Sequence, residues 1–295
     1  MNYGFHPTYR TATSRSIRYG AVSTMLAAGL LLSACGSGSN NSTAADADPV
    51  DGGTLRIDGP ADAGANPCLD PFQSWGSDWT LLSSNIAERL VDQDPETGEI
   101  VPWLATDWTI SDDGLDYTFQ LRDDVTFSDG SDFNAQAVKT AYDTNLEVAE
   151  DNPGVLGGDD IKGLVETTVE DEYTVRLTLD APNTSFLNRL SWSRLGILSP
   201  ASYEELSTQD RCRTGIASTA AFEVTDFTPY ESITFSARAD YTPTSELASH
   251  DGPARLDTLE YHFVAEDNVR VGNLLSDASD IAWKVNPYAP SDLEQ

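Results

Sequence analysis

Two stretches of apolar–polar alternation, each tied to an acidic turn, constrain this chain more than any other feature. Tyr117, Phe119 and Leu121 alternate with Thr118, Gln120 and Arg122 after the turn signal Asp112-Asp113-Gly114, with Asp107–Ser111 as the opposing arm. Thr168–Glu170 and Tyr173–Leu179 repeat the arrangement, with Tyr173, Val175, Leu177 and Leu179 sharing one face. A period of two sends all these apolar side chains to the same side of a strand, so each stretch reads as a half-buried β-hairpin. Between them Asn134 is a suitable N-cap, and Val138, Ala141, Tyr142 and Leu146 fall on one helix face, expected to lie beside the first hairpin.

The same reading gives a strand over 54–58, a helix over 79–90, short helices over 184–191 and 200–206, strands over 222–227, 232–237 and 259–264, a helix over 266–275 and a last strand over 280–285. The body is therefore mixed α/β. Ahead of it, Arg10, Arg15 and Arg18 precede an apolar run from Ala21 to Leu32 that is too short to span a bilayer. Leu32-Ser33-Ala34-Cys35 then has the form of a lipobox. The expectation is a lipoprotein signal peptide over 1–34, lipid on Cys35, and a Gly-, Ser- and Asn-rich tether over 35–52; the alternative is an incidental cysteine after an ordinary cleavage site. Two or three acyl chains would anchor the protein stably. Its location would be extracytoplasmic, with membrane contact through the lipid alone.

Forty-eight acidic against 17 basic residues give a formal charge of −31, which disfavours nucleic acid and anionic lipid as partners. The acids are scattered and read as a solvated surface. With Cys35 used by the anchor, Cys68 and Cys212 remain as a pair in an oxidising compartment, where a disulfide is the default. Two buried thiols are the other reading. His262 lies on the strand face opposite Tyr261 and Phe263 and reads as an edge or surface residue. The run Asp92–Thr97 lacks the glycine and the bidentate acid of a calcium loop, since Thr97 and Trp103 stand there. HExxH, GxSxG, a phosphate loop followed by Lys, and CxxC are all missing from the sequence. No catalytic residue, cofactor or metal ligand is assigned, and the chain does not read as an enzyme.

A consecutive set of segments carries a more specific likeness. Ala87-Glu88-Arg89-Leu90-Val91, Thr97–Ala105, Asp107–Gly114, Tyr117–Arg122, Val125–Gly130 and Phe133–Val138 occur in an order and spacing that resemble the family 5 extracytoplasmic solute-binding proteins, the peptide and nickel receptors of ABC importers. Leu198-Ser199-Pro200, Phe222–Phe227 and Leu256–Leu275 extend the likeness across 53–285. The resemblance implies a periplasmic-binding-protein-like fold of the type II, large two-lobed class, of which 53–285 would be mostly the first lobe with its hairpin-rich subdomain. Residues 286–295 would then begin the crossing to a second lobe beyond this sequence.

It further implies a receptor that takes up short peptides and delivers them to an ABC permease and its ATPase subunits, with Gln73, Ser74, Trp75, Ser77 and Trp192 facing the cleft. Nickel or another small solute is the alternative ligand. A nonfunctional truncated remnant, or a surface lipoprotein acting by protein contact, is the alternative from a different class. One departure stands out: Thr219-Ala220-Ala221-Phe222 occupies a place where the family usually has Gly-Pro before an aromatic residue, and alanine would be strained if the backbone there needed positive φ.

Overall fold

The computed structural model describes residues 49–61, 67–75, 77–250 and 252–286, without the side chains of Ser77, Asp78 and Thr80. The leader, Cys35, nearly all of the tether and residues 287–295 lie outside the described residues.

The chain enters through β1 (Thr54–Gly59) and α1 (Ser77–Ile86), then forms the hairpin β2 (Val91–Gln93) and β3 (Ile100–Pro102). Next come β4 (Ala105–Ile110), β5 (Asp116–Leu121), α2 (Ala135–Asp151), α3 (Leu156–Asp160), β6 (Leu164–Asp171) and β7 (Thr174–Leu179). The remainder is α4 (Phe186–Arg189), α5 (Pro200–Glu204), β8 (Phe222–Thr228), β9 (Ser232–Ala237), β10 (Thr258–Phe263), α6 (Asp267–Leu275) and β11 (Ile281–Ala282). None of the described helices is long and apolar enough to cross a membrane.

The two acidic-turn hairpins are not separate. Antiparallel pairing of β5 with β7, from Asp116 opposite Thr178 to Gln120 opposite Thr174, fuses them into one sheet ordered β4-β5-β7-β6. Their inward residues Tyr117, Phe119, Leu121, Val175, Leu177 and Leu179 are all buried on its covered face. The first turn closes because Ser111 accepts from the Gly114 amide at 2.8 Å while Gly114 takes a φ of +72°, a conformation open to glycine. The Asp113 carboxylate, held below its ordinary pKa by the Ser111 hydroxyl and the Leu115 amide, completes that turn.

Helix α2 begins where Asn134 Oδ1 accepts from the Ala137 amide at 3.0 Å. It packs on β6 and β7, the second hairpin, rather than beside the first. The Ala135 amide bonds the Glu172 carbonyl in the second turn, and Lys139 Nζ reaches the Thr167 carbonyl, which fixes the helix on that side. Its buried face runs through Val138, Ala141, Tyr142, Asn145 and Val148, so Leu146 is only half-buried. Replacing Asn134 with alanine is expected to cost about 1 kcal/mol in urea unfolding; an unchanged midpoint would mean that this cap is redundant.

A second, five-stranded sheet is ordered β11-β1-β10-β9-β8. β1 runs parallel to both β10 and β11, and β9 runs antiparallel to its two neighbours, β10 and β8. Ile233, Phe235, Leu259 and Tyr261 are buried on it, and Trp79 of α1 meets Phe227 edge-on at 5.8 Å and stacks on Phe263 at 5.9 Å. His262 is therefore not on an edge strand. Its Nδ1 lies 3.1 Å from Oδ1 of the buried Asp58 on β1.

Several boundaries differ from the sequence reading. α1 stops at Ile86 because the Glu88, Arg89 and Leu90 carbonyls are taken by the amides of Ile197, Leu104 and Ala105, which holds that segment extended. β11 has two residues instead of six, since Lys284 takes a φ of +52°. Asp92–Thr97 lies in the β2–β3 hairpin, whose turn is closed by Asp94 accepting from the Glu96 and Thr97 amides. Ala220 and Ala221 do not adopt positive φ, so the replacement of Gly-Pro carries no such strain.

Candidate solute-binding face

The loop before α1 is organised by one carboxylate. Asp70, 1 % exposed, accepts from the Phe72 amide at 3.1 Å through Oδ1, and through Oδ2 from Gln73 Nε2 at 2.7 Å and Arg211 Nε at 2.9 Å. Its backbone carbonyl accepts from the Gln73 and Ser74 amides, so the chain turns tightly at this point. A disulfide between Cys68 and Cys212 lies alongside the Asp70–Arg211 pair. The loop is thus held by a covalent bond and an ion pair to the same distant segment.

This turn presents Trp75 at 45 % exposure. Trp75 and Gln73 border a pocket of about 350 Å³ whose other wall is Asn152, Gly154, Val155 and Leu156. α3 can sit close because residue 157 is glycine: a Cβ there would stand 2.4 Å from Cδ2 of Phe72. Ser74 points the other way. It is buried, and its hydroxyl donates to the Pro71 carbonyl at 2.9 Å, so it faces the core and not a pocket. The Ser77 side chain lies outside the described residues.

Trp192, 41 % exposed, borders a second pocket of about 400 Å³ together with Ser84, Arg89, Asp92, Gln93 and Arg194. The tryptophan segment hangs on the Glu88 carbonyl through the Ile197 amide, and Arg194 clamps it to α3 by a two-pronged pair with Asp160 at 2.6 and 3.1 Å. Because α3 also walls the first pocket, the two share one supporting element. Arg89 is 6 % exposed, and its guanidinium stacks over Trp103 at 4.1 Å. Burial lowers its pKa to about 10, which leaves it protonated at neutral pH.

The structure therefore brings Gln73 with Trp75, and Trp192 with Arg89 and Asp92, on elements that α3 connects. Arg89 is the residue the sequence reading left out. Its signal was present as a Glu-Arg pair inside the otherwise apolar Ile86–Val91, a pattern that places charge where burial is expected.

The family model for bacterial extracellular solute-binding proteins, family 5 Middle, matches residues 99–295. The chain belongs to this family. Among family 5 relatives, the glutathione-binding protein GsiB of Escherichia coli O1:K1 is 29 % identical over 228 residues, covering 76 % of this chain and 41 % of the relative. The chain thus spans about two-fifths of the length of the curated relatives it matches.

Two solved structures agree. The periplasmic binding protein DppA from Helicobacter pylori, in complex with the peptide STSA, is 26 % identical with a TM-score of 0.63, over 78 % of this chain and 46 % of that one. NikA from Brucella suis, in complex with Fe(III)-EDTA, is 26 % identical with a TM-score of 0.63, over 77 % and 42 %. The α/β fold is that of the family 5 periplasmic binding proteins.

Proposed function

We propose that this chain supplies part of an extracytoplasmic receptor that captures short peptides and passes them to an ABC permease with its ATPase subunits. The observation that carries this reading is the pair of exposed tryptophans, Trp75 and Trp192, each at the mouth of a pocket of about 350–400 Å³ on pinned loops. Pockets of that size suit small organic solutes, and an indole at the rim stacks on peptide planes and side chains without demanding one sequence. Similarity to the peptide-bound DppA and to GsiB supports peptides as the ligand class. Residues 53–285 act as one lobe in this reading, facing a second lobe, with lipid on Cys35 keeping the receptor at the membrane. Closure of one lobe on the other around the ligand would signal the loaded state.

Calorimetric titration of the 295-residue protein with di- and tripeptides, reduced glutathione and Ni²⁺ tests the reading. Saturable binding of peptides is expected, weakened at least tenfold in Trp192→Ala. Saturation by Ni²⁺ alone would transfer the assignment to metal uptake, and no saturation by any member of the panel would overturn it. Intact mass of the protein from the membrane fraction tests the anchor, with diacylated Cys35 as the expected first residue.

A further inference from the structure

We infer that Asp160 is a positioning residue that makes the two pockets act as one: through it α3 carries the wall of the Trp75 pocket and the Trp192 loop together, so that a solute filling one pocket finds the other already shaped. The coupling presupposes the receptor reading and goes beyond it.

α3 has little reason of its own to be a helix. Its sequence is Leu-Gly-Gly-Asp-Asp, a single turn in which two positions are glycine, among the poorest helix formers. Val155 at the N-cap supplies no side-chain bond, and the carboxylate of Asp160 at the other end stands on the unfavourable side of the helix dipole. One turn also does not offset the cost of its own nucleation. The shape of α3 is therefore imposed by the segments that grip it.

Those segments are the ones that bear the pockets. On one side Gly157 lies against Phe72, where a Cβ would stand 2.6 Å from the Phe72 carbonyl oxygen, and Phe72 belongs to the turn that presents Trp75. On the other side Arg194 Nε and Nη2 hold the two oxygens of Asp160 at 2.6 and 3.1 Å, and Arg189 Nη1 donates to the Asp159 carbonyl at 2.5 Å. Beneath, Gly158 rests on α2, with the place of a Cβ 3.2 Å from Ala149 Cβ. Asp160 is 2 % exposed, so its pair with Arg194 does not exchange for water without stranding a buried charge. Leu156, at the start of α3, borders the Trp75 pocket, and Arg194 borders the Trp192 pocket. Leu156 and Asp160 are one helical turn apart, about 6 Å. A solute that steadies the Trp192 loop steadies Arg194, Asp160 and α3 in turn, and by linkage a solute in the Trp75 pocket steadies the loop to the same degree.

Fluorine NMR of the chain carrying fluorinated tryptophan reads this coupling without a ligand, with the signals of interest assigned from Trp75→Phe and Trp192→Phe. Leu156→Ala, which trims a half-exposed side chain on the first pocket, is expected to move the Trp192 signal in the wild type and to leave it in place in Asp160→Asn. Titration with the tripeptide Leu-Ala-Leu gives an independent reading. Trp75→Ala and Trp192→Ala together are expected to lose less affinity than the product of their separate losses, by about fivefold or more, and the losses are expected to multiply in Asp160→Asn. Should Asp160→Asn fail to fold by circular dichroism, Arg194→Lys, which keeps the charge and gives up the two-pronged geometry, takes its place. A Trp192 signal indifferent to Leu156→Ala overturns the coupling, as does simple multiplication of the two losses in the wild type. Either effect persisting in the folded variant overturns the role of Asp160. If Leu-Ala-Leu does not bind while the fluorine signal moves as expected, the coupling stands and the peptide reading falls.

Discussion

Replacing Asp70 with alanine is expected to lower stability by about 3–5 kcal/mol, because it strands Arg211, 2 % exposed, as an uncompensated buried charge. That is a large share of the 5–15 kcal/mol that typically holds a domain together. The same change deletes the acceptor for the Phe72 amide and for Gln73 Nε2, so the turn that presents Trp75 loses its organiser. Urea unfolding followed by tryptophan emission measures the first effect, and a loss below about 1 kcal/mol would mean that Arg211 finds water or another acceptor. The double change Asp70→Leu with Arg211→Met separates the two roles. Removing both charges is expected to restore most of the stability, since apolar replacements of a buried pair are commonly close to neutral. Peptide affinity is expected to stay impaired, because Gln73 has lost the Asp70 carboxylate, to which its Nε2 donates at 2.7 Å.

Loss of the Cys68–Cys212 disulfide is the second large effect. The bond closes a loop of 144 residues, and the entropy it removes from the unfolded chain corresponds to about 4–5 kcal/mol, with 2–5 commonly measured on removing a native bridge. Cys68→Ser with Cys212→Ser is expected to shift the urea midpoint accordingly, and dithiothreitol is expected to reproduce the shift in the wild type and leave the double variant unchanged. Equal midpoints with and without reductant would show that the folded contacts across this junction need no covalent support. Because the bridge and the Asp70–Arg211 pair join the same two segments, their losses are expected to sum to less than the separate values when combined.

The sequence made the sheets more legible than the site, for physical reasons. Alternation in Tyr117–Leu121 and Tyr173–Leu179 is a local property, and a strand with one wet face cannot slip register without exposing its apolar set, so both hairpins were readable. That β5 and β7 would pair with each other is a long-range fact that no local period encodes. The early end of α1 was hidden for the same reason: Ile86–Leu90 has a helical pattern, but carbonyls of 88–90 are claimed by amides at 104, 105 and 197.

At the site, Gln73, Trp75 and Trp192 came from resemblance and lie on pocket walls. Ser74 sits between two of them and turns inward to the Pro71 carbonyl, a direction set by the Asp70 turn and not by residue type. Arg89 entered the sequence reading only as part of a family-like segment, although the Glu88-Arg89 pair interrupts an otherwise apolar run. Its burial against Trp103 and its ion pair with Asp92 emerge only in the folded structure.

The two sheets also differ in when they can exist. Every strand of the four-stranded sheet lies within residues 105–179, so its contacts are available once that segment is complete. The five-stranded sheet instead joins β1, at the start of the body, to β10 and β11 near its end, with no local partner for β1. Pairings this distant pay loop-closure entropy before they return any contact energy, and they form late. Asp58 records the delay: its two acceptor oxygens find His262 of β10 and Asn273 of α6 only after nearly the whole described chain is available. Until those partners are in place, burying the Asp58 carboxylate is unfavourable, so closure of the first strand into the sheet is expected to follow assembly of the hairpin sheet.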